Sequence, residues 1–160
     1  MNFKKAEKED AEKLLALTHN AFLRYAKEVG QQVKGVSETL EDIIYDIEKK
    51  YVLLAYKDDE LVGATRLEDI ENIVYISRLC ASDTSSNIGK QLIAEAKRIK
   101  ADKPLCLHTS TKISSLVGFY YKCGFYVQSV SHKKGYPRGL FVYCNENCEE
   151  IDFEGLTKDK

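Results

Sequence analysis

The chain lacks any apolar run near the roughly 20 residues that a bilayer-spanning helix needs, so no membrane span is expected. It also lacks an excess of either charge. Basic side chains number 24 against 25 acidic ones, a net charge of −1. That balance gives nucleic acid or an anionic lipid surface no overall attraction, and neither is expected as a partner. The opening MNFKKAEKED is charged throughout and has no apolar stretch of the kind a secretory signal requires. Repeats, low-complexity tracts and linkers are absent as well. The five cysteines form an odd count, and without an export signal they do not suggest a disulfide framework. These absences point to the reducing cytoplasm. What is present is 160 residues, 44% apolar and 31% charged, which suits one domain over 1–160 with one core.

Hydrophobic periodicity divides the chain into elements. Residues 2–7 read as a short strand. In 10–29, Ala11, Leu14, Leu15, Thr18, Phe22, Tyr25 and Val29 recur at steps of three and four, one apolar helical stripe with Gly30 as C-cap. Leu40, Ile43, Ile44 and Ile47 repeat the pattern in 37–50, with Ser37 as N-cap. The period then changes. YVLLAY and LVGATRL flank KDDE as a hairpin, and NIVYISRLCA is a third, β-branched run. Ile88, Leu92, Ala96 and Ile99 mark another helix. PLCLH is a buried strand, SSLVGFYYKC a helix ended by Gly124, and FYVQSV and GLFVYC are the last strands. The tail from 145 to 160 is acidic, then mixed, and reads as partly loose. The order is β-α-α-β-β-β-α-β-α-β-β. Residues 73–81, 88–100 and 104–108 form a strand–helix–strand unit, for which a right-handed parallel crossover is expected. Hairpin logic makes the rest antiparallel.

Two stretches can carry chemistry. TSSNIGKQLI, residues 84–93, joins a strand end to a helix start. Helix N-termini offer unpaired N–H groups and a partial positive charge, which suit an anion. Gly89 permits close approach to the backbone, Thr84, Ser85 and Ser86 add hydroxyls, and Lys90 adds charge. An ordinary helix cap explains the same residues. The second stretch, LVGFYYKCGFYVQSV, puts Tyr120 and Tyr121 on the last turn of a helix, where both rings can simply pack.

Together, the element order and these stretches resemble the GNAT superfamily of N-acetyltransferases, which move an acetyl group from acetyl-CoA to an amine. FYYKCGF closely matches the family's F-Y-x-K-x-G-F phrase. TSSNIG is a degraded form of Q/R-x-x-G-x-G/A: Thr84 and Asn87 depart from it and Gly89 matches. Ile113 stands where an Asn is frequent. The resemblance covers nearly the whole chain. It implies a mixed α/β (α+β), mostly antiparallel sheet with helices on both faces around a central parallel strand–helix–strand unit. It also implies acetyl-CoA as co-substrate and an amine acceptor. The backbone of Leu79 and Ala81 would bond the pantetheine arm, and one of those N–H groups can polarise the thioester carbonyl. The N–H groups of Ser85, Asn87, Gly89 and Lys90 would hold the pyrophosphate. Asn tolerates left-handed backbone, so Asn87 can stand in for glycine there. Tyr120 would be the general acid toward the CoA sulfur, with Tyr121 its competitor; only one of two successive helical positions can face the cofactor, and the other belongs in the core.

The general base has no sequence phrase. On 73–81 the odd positions Ile73, Tyr75, Ser77 and Leu79 share a face, and Glu71, just before it, is the candidate base; a solvated acidic turn is the plainer reading. His108 reads as a half-buried histidine. CNENC offers two thiols but not a four-ligand set, so no metal is expected. Cys80, Cys106 and Cys123 read as small core residues, Cys123 near the transfer point. SHKKGYPRGLF, with His132, Lys133, Lys134 and Arg138, reads as a basic patch or as the loop that in this family shapes the acceptor pocket or a homodimer contact. Glu28, Glu38, Glu41 and Asp42 favour a cationic acceptor if they face the cleft, and otherwise form the wet face of two helices. The alternative function is a catalytically weak or inactive GNAT-like domain that binds CoA or a protein partner.

Overall fold

The computed structural model describes residues 1–83, 86–145 and 148–158. Strand β1 (Asn2–Lys5) leads through a tight turn at Lys8–Asp10 into helix α1 (Ala11–Val29). The apolar stripe of α1 buries Ala11, Leu14, Leu17, Thr18 and Val29, and Gly30 ends it in the left-handed conformation at φ 78°. The next helix is not capped by Ser37. Residues Lys34–Ser37 form a short helix of their own, α2, and the Ser37 hydroxyl donates back to the Lys34 carbonyl at 3.2 Å. Thr39 caps α3 (Leu40–Lys49) instead. Its hydroxyl accepts from the Asp42 N–H at 3.2 Å, and the Asp42 carboxylate accepts from the Thr39 N–H at 2.9 Å.

Strands β2 (Tyr51–Lys57) and β3 (Glu60–Ile70) form the expected hairpin, turned by Asp58 and Asp59 at φ 51° and 63°. Then come β4 (Ile73–Ala81), α4 (Ile88–Ile99), β5 (Leu105–Ser110), α5 (Ser114–Lys122), β6 (Tyr126–Ser131), β7 (Arg138–Tyr143) and a short α6 (Phe153–Thr157). The sheet order is β1-β2-β3-β4-β5-β7-β6. Every pairing is antiparallel except β4 with β5, the parallel pair that the α4 crossover requires. One sheet face packs on α1 and α3 and, further along, on the segment around α6. The other face packs on α4 and α5. The architecture is the mixed, mostly antiparallel sheet covered on both faces that the sequence implies.

Strand β4 does not keep one face throughout. Ala64 opposes Cys80 and Arg66 opposes Ser77, so Thr65 faces two residues of β4 and the ladder bulges. Arg78 takes φ 53° there. Before the bulge, Ile73 faces the α6 side and Val74 and Ile76 face α4. After it, Leu79 packs on the α4 side and Cys80 on α1. The expected common face of Ile73, Tyr75, Ser77 and Leu79 is therefore broken, because the inserted residue reverses the alternation. Cys80, Cys106 and Cys123 are buried and free as expected, but Cys144 and Cys148 form a disulfide. This corrects the expectation from cysteine parity. That expectation concerns frameworks tying distant segments, whereas this bond closes a loop of neighbours just after β7. No helix among the described residues is long and apolar enough to cross a membrane.

Candidate active site

Strands β4 and β5 share only two register pairs, Val74 with Leu105 and Tyr75 with Cys106. Beyond Tyr75 they part, and a cleft of about 1330 Å³ opens in the gap. The Ser82 N–H is spent on the Val62 carbonyl at 2.8 Å, so Ser82 and Cys80 turn their backbone groups toward β3. Alternation leaves those of Leu79 and Ala81 on the gap edge. Consistent with this, the Ala81 carbonyl accepts a hydrogen bond from Arg24 of α1 at 3.0 Å.

The N-terminus of α4 is brought to the same gap by close packing on β3. A Cβ on Gly63 would lie 2.5 Å from Ile88 and 2.9 Å from Leu92, so glycine is required where the helix sits on the strand. Asn87 is the N-cap at φ −82°, and its side chain caps no backbone amide. Its backbone is not left-handed, so tolerance of that conformation is not what asparagine supplies. Gly89 sits against Phe119, 3.2 Å from where its Cβ would be, and Gly89, Lys90 and Asn87 all line the cleft. Ser85 and Thr84 lie outside the described residues.

Tyr120 lines the cleft from α5. Its ring is held by Phe119, Phe125 and Phe141 at centroid distances of 5.0, 5.7 and 5.4 Å. Burial holds its phenol above the ordinary range, so it is protonated at neutral pH. Tyr121 is not in the core: it is 55% exposed and points away from the cleft's lining. Cys123 also lines the cleft, but burial raises its thiol against the opposing pull of Lys97 and Lys90, which makes it a poor nucleophile.

The structure thus brings Leu79, Ala81, Asn87, Gly89, Lys90 and Tyr120 to one cleft. It does not bring Glu71. That residue lies in the β3–β4 turn at φ 52°, at the opposite end of β4 from Ala81, and is not part of the cleft wall. At about 3.3 Å per residue, the eight residues from Glu71 to Leu79 span some 26 Å.

The far end of the cleft lies on the α1 side of the sheet. Tyr75 and His108 share a hydrogen bond of 2.7 Å, and Phe153 of α6 packs on both rings. Burial, with the nearby Arg138 charge, pushes the His108 ring down to about 4. A depressed histidine stabilises the fold above its unfolded value of 6.5 and loses that contribution as pH falls toward about 4. Denaturation midpoints at pH 7, 5.5 and 4 should register this as up to about 3 kcal/mol. His108→Gln should flatten that part of the profile; an unchanged slope in the variant means other groups set it.

Three arginines, Arg66, Arg78 and Arg24, were not singled out in the sequence. Arg66 is 1% exposed on β3. It pairs with Glu38 at 2.6 and 3.0 Å and with Asp46 at 2.7 Å. Glu38 also accepts from Arg78 at 3.0 Å, which ties the β4 bulge to the α2–α3 connection. A charge in the apolar strand LVGATRL was the readable signal, since a buried charge demands a partner. Arg24 carries no comparable signal. Among the described residues, no group of three or more His, Cys, Asp or Glu is placed to hold a metal ion.

The family model described as an acetyltransferase (GNAT) domain matches residues 25–140. Among solved structures, the chain is similar to the PaiA N-acetyltransferase of Thermoplasma acidophilum in complex with coenzyme A. The two share 22% identity at a TM-score of 0.78, over 89% of this chain and 98% of that one. It is also similar to a probable acetyltransferase of Staphylococcus epidermidis ATCC 12228, at 12% identity and a TM-score of 0.75 over 91% and 99%. A third is aminoglycoside 6'-acetyltransferase type Ii, at 15% identity and a TM-score of 0.71 over 93% and 100%. No curated protein matches the sequence.

Proposed function

Because the chain belongs to the GNAT acetyltransferase family, we propose that it transfers the acetyl group of acetyl-CoA to a primary amine by direct attack on the thioester. The observation that carries this reading is the gap beyond Tyr75. Two unpaired strand-edge residues, a helix N-terminus and a protonated tyrosine line that one cleft. The residues fit the co-substrate. The edge of Leu79 and Ala81 suits the amides of the pantetheine arm. The N–H groups of Asn87, Gly89 and Lys90 suit the pyrophosphate.

The amine lone pair attacks the thioester carbon and the carbonyl electrons move onto oxygen, where an N–H at the β4 edge stabilises them. The intermediate collapses: the C–S bond breaks, Tyr120 gives the departing sulfur its proton, and the proton lost from the new amide nitrogen restores the Tyr120 phenol through water. The acceptor ammonium loses its own proton to water in the open cleft or to Glu28, the carboxylate that α1 brings to the wall. In this role Glu28 replaces the distant Glu71.

Calorimetry with acetyl-CoA, followed by thiol release against a panel of amines, tests the proposal. Heat without turnover supports the CoA-binding alternative, and no heat removes both readings. Gly89→Glu is the control. Its carboxylate is compatible with the helix dipole but occupies the phosphate's position, so binding should weaken at least about tenfold in a folded protein. Equal affinity would place the phosphate elsewhere.

A further inference from the structure

The cleft's charge is not what acetyl-CoA alone requires. Lys90 and Lys122 stand at the α4–α5 end, where the phosphates belong. Further cations, Arg24, Lys34, Arg78, Lys134 and Arg138, line the same cleft, although the whole chain is nearly neutral. The carboxylates that line it are Glu28 and Asp83. Of these cations Arg78 is already paired, with Glu38 of the α2–α3 connection, while the α3 carboxylates Asp42 and Asp46 are engaged away from the cleft's other cations. Glu38 is shared between Arg66 and Arg78, Asp46 between Arg66 and Lys50, and Asp42 caps α3.

Arg138 stands apart in this set. It is the first residue of β7, in register with Ser110 of β5. On β7 the alternate residues Leu140 and Val142 face the α6 side, which puts Arg138 on the face that carries His108 and Tyr75. Its Nε is buried without a hydrogen-bond partner, and it makes no ion pair with any described carboxylate. The guanidinium hydrogen-bonds the Tyr75 side chain and its charge also bears on His108 and Tyr136, so it sits among those rings with Nε as the donor left over. A buried guanidinium donor without an acceptor is costly unless a ligand supplies one. The planar fork of arginine matches the two oxygens of a carboxylate.

We infer that the acceptor is a small amine that also carries a carboxylate, held by the guanidinium of Arg138, with its amino group directed into the β4–β5 gap. This inference rests on the acetyltransferase reading and names its substrate class. The ammonium meets Glu28 and the carboxylate meets Arg138, so a zwitterion is matched at both ends. A polyamine would place a second cation where the cleft already has several.

The test compares glycine, glutamate and 4-aminobutyrate with their carboxamides, and with putrescine and spermidine, by thiol release from acetyl-CoA. At least one free acid should exceed its amide about tenfold or more in kcat/KM. Arg138→Gln should bring that ratio close to one, with Arg138→Lys in between. The wild-type ratio needs no variant, so a folding defect in either variant leaves the test intact. Amides or polyamines turned over as well as the acids, or no acid turned over, overturns the inference. A loss of acetyl-CoA affinity in Arg138→Gln to match its loss of turnover would assign the guanidinium to the co-substrate and overturn it too. Failure of the underlying reading looks different: acetyl-CoA gives no heat and no amine is acetylated.

Discussion

Tyr120→Phe is expected to lower kcat about 100-fold, the low end for general acid catalysis, while leaving acetyl-CoA affinity nearly unchanged. The substitution removes one oxygen and keeps the ring against Phe119, Phe125 and Phe141. What is lost is the proton for the departing sulfur. Tyr121→Phe is the internal control, because that ring is mostly exposed and lies outside the cleft wall. It should keep most of the activity. Damage in Tyr121→Phe with a healthy Tyr120→Phe would shift the motif alignment by one residue. Full activity in both would mean that water or the acceptor amine protonates the sulfur.

Glu38→Ala is expected to destabilise the fold by about 3–5 kcal/mol, the usual cost of breaking a buried ion pair by removing one partner. Arg66 is almost wholly inaccessible and would keep only Asp46. Its Nε already lacks a partner, so the network has no spare acceptor. Urea denaturation should show a lower midpoint at an unchanged slope. Glu38→Gln, which retains an acceptor oxygen, should lose less. A change below about 1 kcal/mol in the alanine variant would show that water or a shifted Asp46 satisfies the guanidinium. Because Glu38 also holds Arg78, the KM for acetyl-CoA should rise in any folded fraction, through loosening of the bulge beside Leu79.

Much of this was legible in the residues. The three- and four-residue steps of Leu14, Ile43 and Leu92 mark buried helix faces, and all three are buried. The short links around α4 required the parallel pair. The boundaries failed where two hydroxyl residues competed to cap: Ser37 and Thr39 both suit an N-cap, but Asp42 stands three residues after Thr39 and completes the box. The bulge was hidden because strand alternation counts every residue equally, and nothing in YISRLCA announces the one out of step. The place of Glu71, apart from the cleft wall, was hidden for the same kind of reason. Glu71 adjoins the right strand in sequence, but proximity along a strand is not proximity to the end that matters. Arg24 is an exposed helical residue like its neighbours, and only the packing of α1 over the gap gives it a role.

Two consecutive residues of α1 hold opposite banks of that gap. Arg24 donates to the Ala81 carbonyl on β4, and the Tyr25 oxygen accepts from the Ser110 N–H on β5. The sheet is therefore a pair of leaves joined by a short hinge at Val74 and Tyr75, with α1 as the clasp at the open edge. On the proposed reading, a pantetheine amide that donates to the Ala81 carbonyl would share with Arg24 the oxygen to which the clasp is fastened, so the cleft's filling and its fastening meet at one atom.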